Sequence, residues 1–96
     1  MSTRRVVVTG IGALTPIGNN LNEYWNGLTE GKSGAGPITL FDSTNFKTKF
    51  ACEVKGFNPT DFIDRKQARK LDRFCQFAVT VADQAFNDSG LSVEKI

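Results

Sequence analysis

The run Arg4-Arg5-Val6-Val7-Val8-Thr9 places the strongest constraint on the fold of this chain. Its valines follow one another with no polar residue between them, and such a continuous run is typical of a strand buried on both faces. Sheets of that kind are covered by helices on both sides, so the run predicts an α/β fold. Residues 10–18, rich in glycine and proline, predict a turn-rich connection after this strand. A length of 96 residues allows one domain at most.

A first helix is predicted over residues 21–30. Asn20 is a favourable N-cap residue, and Glu23 follows it three residues later, at the spacing of a capping box. Apolar residues then recur at helical spacing, and Gly31 stands where a helix commonly ends.

The middle of the chain predicts a loop followed by a short strand. Residues 32–48 are rich in glycine, serine, asparagine and aspartate, which is typical of a loop. Lys49–Val54 shows a partial alternation of apolar and polar residues, which predicts a second strand. Gly56 and Asn58-Pro59 are expected to end that strand.

The last long segment, from Asp64 to Ser89, has helical periodicity. Asp64 with Gln67, and then Asp72, provide two candidate N-caps, so we expect a short basic helix followed by a long one that ends at Gly90. The apolar stripe of this segment consists of Leu71, Phe74, Cys75, Ala78, Ala82, Ala85 and Phe86.

Two glycine-rich motifs look like nucleotide-binding sequences but have the wrong spacing. The dinucleotide fingerprint that Gly10-Ile11-Gly12 suggests needs a third glycine where this chain has Thr15, so a tight structural turn is predicted instead. In Gly27–Ser33, three residues separate the two glycines, whereas a phosphate-binding loop has four and follows a strand. Neither motif predicts a nucleotide site.

The chain has two cysteines, Cys52 and Cys75, and no histidine. The cysteines form no metal-ligand cluster, and each lies among apolar residues, so we expect buried structural thiols in a reducing cytoplasm. A catalytic cysteine needs a histidine or another group that stabilises the thiolate, and the sequence offers no histidine. The residues therefore predict no catalytic, cofactor or metal site.

Positive charge is concentrated between Asp64 and Arg73, a stretch with five basic residues and two aspartates. The rest of the chain has seven basic and eight acidic residues. On a helix, Arg65 and Arg69 share a broad face with Lys66 and Lys70. This face is either merely solvated or binds an anionic macromolecule. Nucleic acid is one candidate, but the charged stretch is short and no exposed aromatic residues alternate with the charges to stack on bases, so a nucleic-acid partner is not expected. An acidic protein fits the charge equally well.

Several motifs of the chain occur together in one known enzyme family. In chain order they are Arg5-Val6-Val7-Val8-Thr9-Gly10-Ile11-Gly12, Thr15-Pro16-Ile17-Gly18, Phe41-Asp42, Lys49-Phe50-Ala51 with Val54, and Phe62-Ile63-Asp64-Arg65-Lys66-x-x-Arg69-Lys70-Leu71-Asp72-Arg73-Phe74-x-Gln76-Phe77-Ala78. They resemble the β-ketoacyl-acyl carrier protein synthases, synthase II most of all, in joint order and spacing and without a gap. The departures are Phe62 and Phe77 for the usual tyrosines, Leu71 for methionine, and Cys75 for a small polar residue.

This resemblance implies the N-terminal portion of a thiolase-like α/β fold, in which two α/β halves stack in five layers, usually as a homodimer. It also implies a decarboxylating Claisen condensation. An acyl chain moves from acyl carrier protein to an enzyme cysteine, and the carbanion from malonyl-carrier protein lengthens it by two carbons. The family uses a cysteine and two histidines, without a redox or metal cofactor. Neither Cys52 nor Cys75 matches its Thr-Ala-Cys motif, so the catalytic site is expected downstream and this chain alone is expected to be inactive.

The resemblance assigns one functional element to this chain, the basic helix. Residues matching Lys66, Arg69 and Lys70, with Arg65 beside them, lie where the acidic carrier protein docks in synthase II. Residues 91–96 resemble a linker to a further strand, so residues 1–96 are expected to be an incomplete N-terminal part of a domain.

Two other functions stay open: a polyketide-type ketosynthase segment, and a non-enzymatic module that binds an acidic partner through the basic helix. No apolar run approaches the about 20 residues that span a bilayer, so no membrane insertion is expected. A cytoplasmic protein is expected.

Overall fold

The computed structural model describes residues 3–95. Its elements in chain order are α1 (Leu21–Glu30), β1 (Ala35–Pro37), β2 (Phe50–Cys52), a short 3-10 helix at Pro59–Asp61, α2 (Arg65–Lys70), α3 (Arg73–Ser89) and a second 3-10 helix at Val93–Lys95.

The predicted bounds of helix α1 are confirmed. The Asn20 side-chain oxygen accepts a hydrogen bond from the Glu23 backbone N–H at 2.9 Å. The Glu23 carboxylate reaches back and accepts from the Asn19 backbone N–H at 3.1 Å, one residue earlier than in a standard capping box. Gly31 ends the helix with a φ of 71°, a left-handed conformation that glycine adopts without steric cost.

Residues 4–9 have no regular secondary structure and do not form the predicted strand. Val6 and Val8 are 94% and 80% exposed, although a strand buried on both faces was expected. A strand is defined by hydrogen bonds to a neighbour, and no other segment within residues 3–95 pairs with this one. The prediction was wrong because β-branched residues favour an extended backbone, whereas a strand also needs a neighbouring segment to pair with.

Gly10 and Gly12 allow the chain to lie directly against α3. A Cβ atom at Gly10 would overlap the Ala85 carbonyl oxygen, and one at Gly12 would overlap the Val81 carbonyl oxygen. Their role is therefore close packing on a helix, whereas the sequence predicted a tight turn at this point. The turn comes later, where the Thr15 backbone N–H donates to the Gly18 carbonyl at 2.8 Å.

Polar side chains of α3 fix the segment that these glycines bring close. Gln84 accepts a hydrogen bond from the Ala13 backbone N–H at 2.9 Å and donates one to the Asn19 carbonyl at 2.8 Å. The Ile11 backbone N–H donates to Asp88 at 3.0 Å. Helix α3 is thus the support for the first part of the chain.

Strands β1 and β2 pair antiparallel, with Gly36 opposite Ala51 and Pro37 opposite Phe50. The predicted strand over Lys49–Val54 exists but is shorter, and β1 lies inside the predicted loop of residues 32–48. Sequence patterns missed β1 because glycine and proline are depleted in strands. Proline is tolerated here because each strand of a two-stranded sheet is an edge strand.

The last described residues form a short helical turn. Val93–Lys95 is a 3-10 helix within residues 91–96, which were expected to be a linker running into a further strand, and that strand stays a prediction. The last residue of that prediction, Ile96, lies outside the described residues. Gly90 ends α3 as predicted, with a φ of 72°.

The well-buried apolar core is small and lies beside α2. Ile63 and Ala68 are 6% and 5% exposed, and Thr80 of α3 is fully buried. Large apolar side chains elsewhere remain exposed, among them Trp25 at 63% and Phe74 at 70%. Between residues 3 and 95, no helix is both long and apolar enough to cross a membrane.

Candidate functional site

The candidate site is the exposed surface of α2, the short basic helix that the sequence predicted. Asp64 and Asp72 occupy the N-cap positions of α2 and α3, as expected. Their carboxylates, however, accept no capping hydrogen bond from the helix that follows. The positions of the two helix starts are confirmed, and the predicted capping box at Asp64 is not formed.

The buried side of α2 determines which charges face outward. Ala68 is buried, and successive residues are rotated by about 100° around a helix. Lys66 and Lys70 stand two positions before and after Ala68, so they lie on the opposite, outward side. Arg65 and Arg69 lie together on one flank. All four side chains are exposed, and we call these four residues the basic surface of α2.

Gln76 of α3 holds the C-terminal end of α2. Its side-chain amide donates to the Ala68 carbonyl oxygen at 2.9 Å and to the Leu71 carbonyl oxygen at 3.4 Å. Carbonyls at the end of a helix lack the usual donor four residues later. The Ala68 carbonyl also accepts from the Leu71 backbone N–H, at 3.3 Å, so Gln76 supplies it with a second donor. The longer helix therefore fixes the orientation of the shorter one.

Arg73 lies apart from the basic surface of α2. Its guanidinium stands over the rings of Phe77, at 5.1 Å from the centroid, and Phe57, at 5.8 Å. Cations bind aromatic faces at this distance. The sequence grouped Arg73 with the other basic residues of this segment, and the structure separates it from them.

The cations of α2 are exposed, as Lys32 and Lys47 are. Among residues 3–94, the lysines whose side chains donate hydrogen bonds are Lys49 and Lys55. Lys55 is the more constrained, because it donates to the carbonyl oxygens of Pro16, Gly34 and Glu53. Four like charges on one exposed face create a positive potential that attracts an anionic surface.

Family membership follows from comparison with known proteins. The family model described as "Beta-ketoacyl synthase, N-terminal domain" matches residues 3–96, nearly the whole chain. The chain belongs to the β-ketoacyl synthase family. The resemblance noted from the sequence motifs is therefore confirmed.

Individual relatives agree with this membership. A 3-oxoacyl-[acyl-carrier-protein] synthase 2 of Synechocystis is 52% identical over 96 residues, which is 100% of this chain and 23% of the relative. The protein of the same name from Coxiella burnetii is 47% identical over 95 residues, 99% of this chain and 23% of its own length. The chain thus spans about a quarter of the length of these relatives.

A solved structure supports the fold. The ishigamide ketosynthase/chain length factor superposes with a TM-score of 0.91 and 41% sequence identity, covering 99% of this chain and 24% of that one. The α/β, thiolase-like prediction is confirmed, and this β-ketoacyl synthase chain has the N-terminal portion of that fold.

The two cysteines of this β-ketoacyl synthase chain are less buried than predicted. Cys52 is exposed and Cys75 is partly buried, although both were expected in a core. Cys52 is the last residue of β2, in the two-stranded sheet with β1. The chain contains no histidine, so neither thiol has the base of a cysteine–histidine pair. The residues of this chain cannot assemble a cysteine–histidine nucleophile.

Sequence reasoning missed the residues that support the basic surface of α2. Phe57 lies outside any periodic element, and its contact with Phe77 spans 20 residues along the chain. Gln76 is a polar residue beside the apolar stripe of α3, and its place in the sequence does not indicate which groups it binds. Contacts of this kind depend on how the elements are placed, which local patterns do not specify.

Proposed function

We propose that this chain supplies the N-terminal part of a fatty-acid chain-elongating condensing enzyme. The complete enzyme would join the two-carbon unit of malonyl-acyl carrier protein to an acyl chain, with loss of carbon dioxide. Family membership, with relatives named 3-oxoacyl-[acyl-carrier-protein] synthase 2, is the single observation that carries the proposal.

The role proposed for this part of the enzyme is docking of acyl carrier protein on the basic surface of α2. Three observations support it: Arg65, Lys66, Arg69 and Lys70 are exposed, they lie on the outward side and one flank of α2, and the relatives' names include an acyl carrier protein. Complementary charge speeds the association of two proteins and orients them. The covalent steps would belong to residues outside this chain. The complete enzyme is proposed to be a homodimer in the cytoplasm.

A condensation assay of the full-length protein tests the proposed activity. Acyl- and malonyl-carrier protein are mixed with the enzyme, and carbon dioxide release is measured together with the 3-oxoacyl product by mass spectrometry. We expect a product two carbons longer than the acyl substrate. Absence of both products, with a folded protein, would leave the alternative of a non-enzymatic module that binds an acidic partner.

A polyketide-type ketosynthase is the second candidate function. It is favoured by the structural similarity to a ketosynthase/chain length factor, which is 41% identical to this chain. The same assay separates the two, because a fatty-acid enzyme is expected to release a chain extended once. A polyketide-type enzyme would extend its own product and accumulate chains with several keto groups.

A further inference from the structure

The guanidinium of the exposed residue Arg73 lies against two aromatic rings at the start of α3. Its guanidinium carbon is 5.1 Å from the centroid of Phe77 and 5.8 Å from that of Phe57. The two rings themselves meet edge to face, with centroids 5.2 Å apart. This geometry is that of a cation–π contact, and it directs the charge of Arg73 toward the rings.

The same group of rings reaches the segment that enters α2. Phe62 stacks on Phe57 with centroids 6.3 Å apart and an interplanar angle of 11°. The next residue, Ile63, is buried, and its backbone N–H donates to the Pro59 carbonyl at 2.9 Å. The rings therefore connect the first residue of α3 to the chain immediately before α2.

Helix α2 is consequently fixed to α3 at both ends. Gln76 binds its C-terminal end through the Ala68 and Leu71 carbonyls, and the group of Arg73, Phe57 and Phe62 holds its entrance. A helix of six residues is too short to be stable alone, so its orientation depends on such contacts.

We infer that Arg73 is a positioning residue for the basic surface of α2. It holds the entrance of α2 against α3 through Phe57 and Phe77, so that Lys66 and Lys70 are presented in one orientation. A surface already ordered before binding loses less freedom when the partner docks. This inference rests on the proposed docking of an acidic carrier protein, but it assigns Arg73 no contact with that protein.

The test uses the full-length protein with Arg73→Met, Phe77→Leu and the double variant. Phe77→Tyr is the control that keeps the ring, and Arg73→Lys keeps a cation over it. The dissociation constant for acyl carrier protein is measured over a range of salt concentrations. Hydrogen exchange of the Ala68 amide, which donates to the Asp64 carbonyl within α2, is measured without the carrier.

We expect Arg73→Met and Phe77→Leu each to weaken carrier binding by about 2- to 5-fold, the effect of one cation–π contact. The double variant should lose less binding than the product of the two single losses, because the two side chains share a contact and belong to one cluster. The dissociation constant should rise with salt concentration as steeply as in the unaltered protein. The Ala68 amide should exchange its hydrogen faster than in the unaltered protein. Phe77→Tyr and Arg73→Lys should bind close to the unaltered protein.

Two results would overturn the inference while leaving the docking proposal intact. One is a flatter salt dependence in Arg73→Met with no effect of Phe77→Leu, which would make Arg73 a direct contact of the carrier. The other is unchanged binding and exchange in both variants although Lys66→Glu with Lys70→Glu weakens binding. If that charge reversal has no effect on binding, the proposed docking fails and the inference falls with it.

Discussion

The side-chain amide of Gln76 lies 2.9 Å from the carbonyl oxygen of Ala68 and joins the long helix α3 to the short helix α2. Ala68 is also the buried residue of α2. The same residue therefore packs against the rest of the protein and accepts the hydrogen bond from α3. The outward direction of Lys66 and Lys70 follows from it. The candidate docking surface is therefore a consequence of how two helices are joined.

Replacing Gln76 by alanine should destabilise the protein and loosen α2. The loss of a partly buried hydrogen bond costs about 0.5–1.5 kcal/mol, and the Ala68 carbonyl would be left without this donor. Urea unfolding of the full-length protein measures the change in the free energy of unfolding. Gln67→Ala is the matched control, because Gln67 is an exposed glutamine of α2, and an equal loss of stability in that variant would contradict this account.

Replacing Gly12 by alanine should lower the free energy of unfolding, although the change adds only one methyl group. The added methyl group would overlap the Val81 carbonyl oxygen, so the opening segment must move away from α3. Overpacking of this kind typically costs about 1–3 kcal/mol. Thermal unfolding should show a clear drop for Gly12→Ala and little change for Gly36→Ala, where a Cβ would meet no atom within 4 Å. Equal melting temperatures in the two variants would refute the close approach.

The hairpin that β1 and β2 form should loosen in acid. A hydrogen bond from the Thr39 hydroxyl has the largest effect on the pKa of Glu53 and lowers it. Desolvation is the next largest effect and opposes it, while the Thr39 and Leu40 backbone N–H groups and Lys55 lower the pKa further. Because the pKa of Glu53 is lowered in the folded protein, ionised Glu53 stabilises the fold at pH values above its unfolded pKa. That stabilisation is lost as the pH falls through the lowered pKa of the folded protein.

The amide signals of Thr39 and Leu40 in nuclear magnetic resonance spectra report this loosening. We expect both signals to titrate together in the unaltered protein, at a pH below the ordinary pKa of a glutamate. Glu53→Gln should abolish that titration, since the amide does not ionise. A titration that persists unchanged in Glu53→Gln would show that another group is responsible.

The 96-residue polypeptide on its own should have no condensing activity. It contains no histidine, and its two cysteines lie in a hairpin strand and a helix without such a partner. Purified polypeptide is incubated with acyl- and malonyl-carrier protein, and the product is compared with a sample without protein. Turnover above that background would show that the chemistry does not require the cysteine and histidines expected outside this chain.

Local patterns in the sequence predicted the helices well, because capping residues and periodicity are local properties. The bounds of α1, the break between α2 and α3, and the end at Gly90 all followed from such signals. The strand predicted at residues 4–9 and the buried thiol predicted at Cys52 were wrong, because pairing and burial depend on other segments. For the candidate site, the charges were visible in the sequence, but their supports at Gln76 and Phe57 were not.

The proposed docking of acyl carrier protein on α2 is tested most directly by reversing three of its charges in the full-length protein. The variant Lys66→Glu, Arg69→Glu, Lys70→Glu is compared with Lys32→Glu, Lys47→Glu, Lys49→Glu, which changes the net charge equally at exposed positions away from α2. Condensation is measured with carrier-bound substrate and with a small thioester, over a range of salt.

Exposed charge pairs contribute about 0.2–1 kcal/mol each, so we predict that the α2 variant loses roughly 3- to 100-fold in kcat/KM for the carrier-bound substrate. The loss should shrink as salt is raised, and the small thioester should react as before. Unchanged kinetics with the carrier-bound substrate, or an equal loss in the control variant, would contradict docking on this surface.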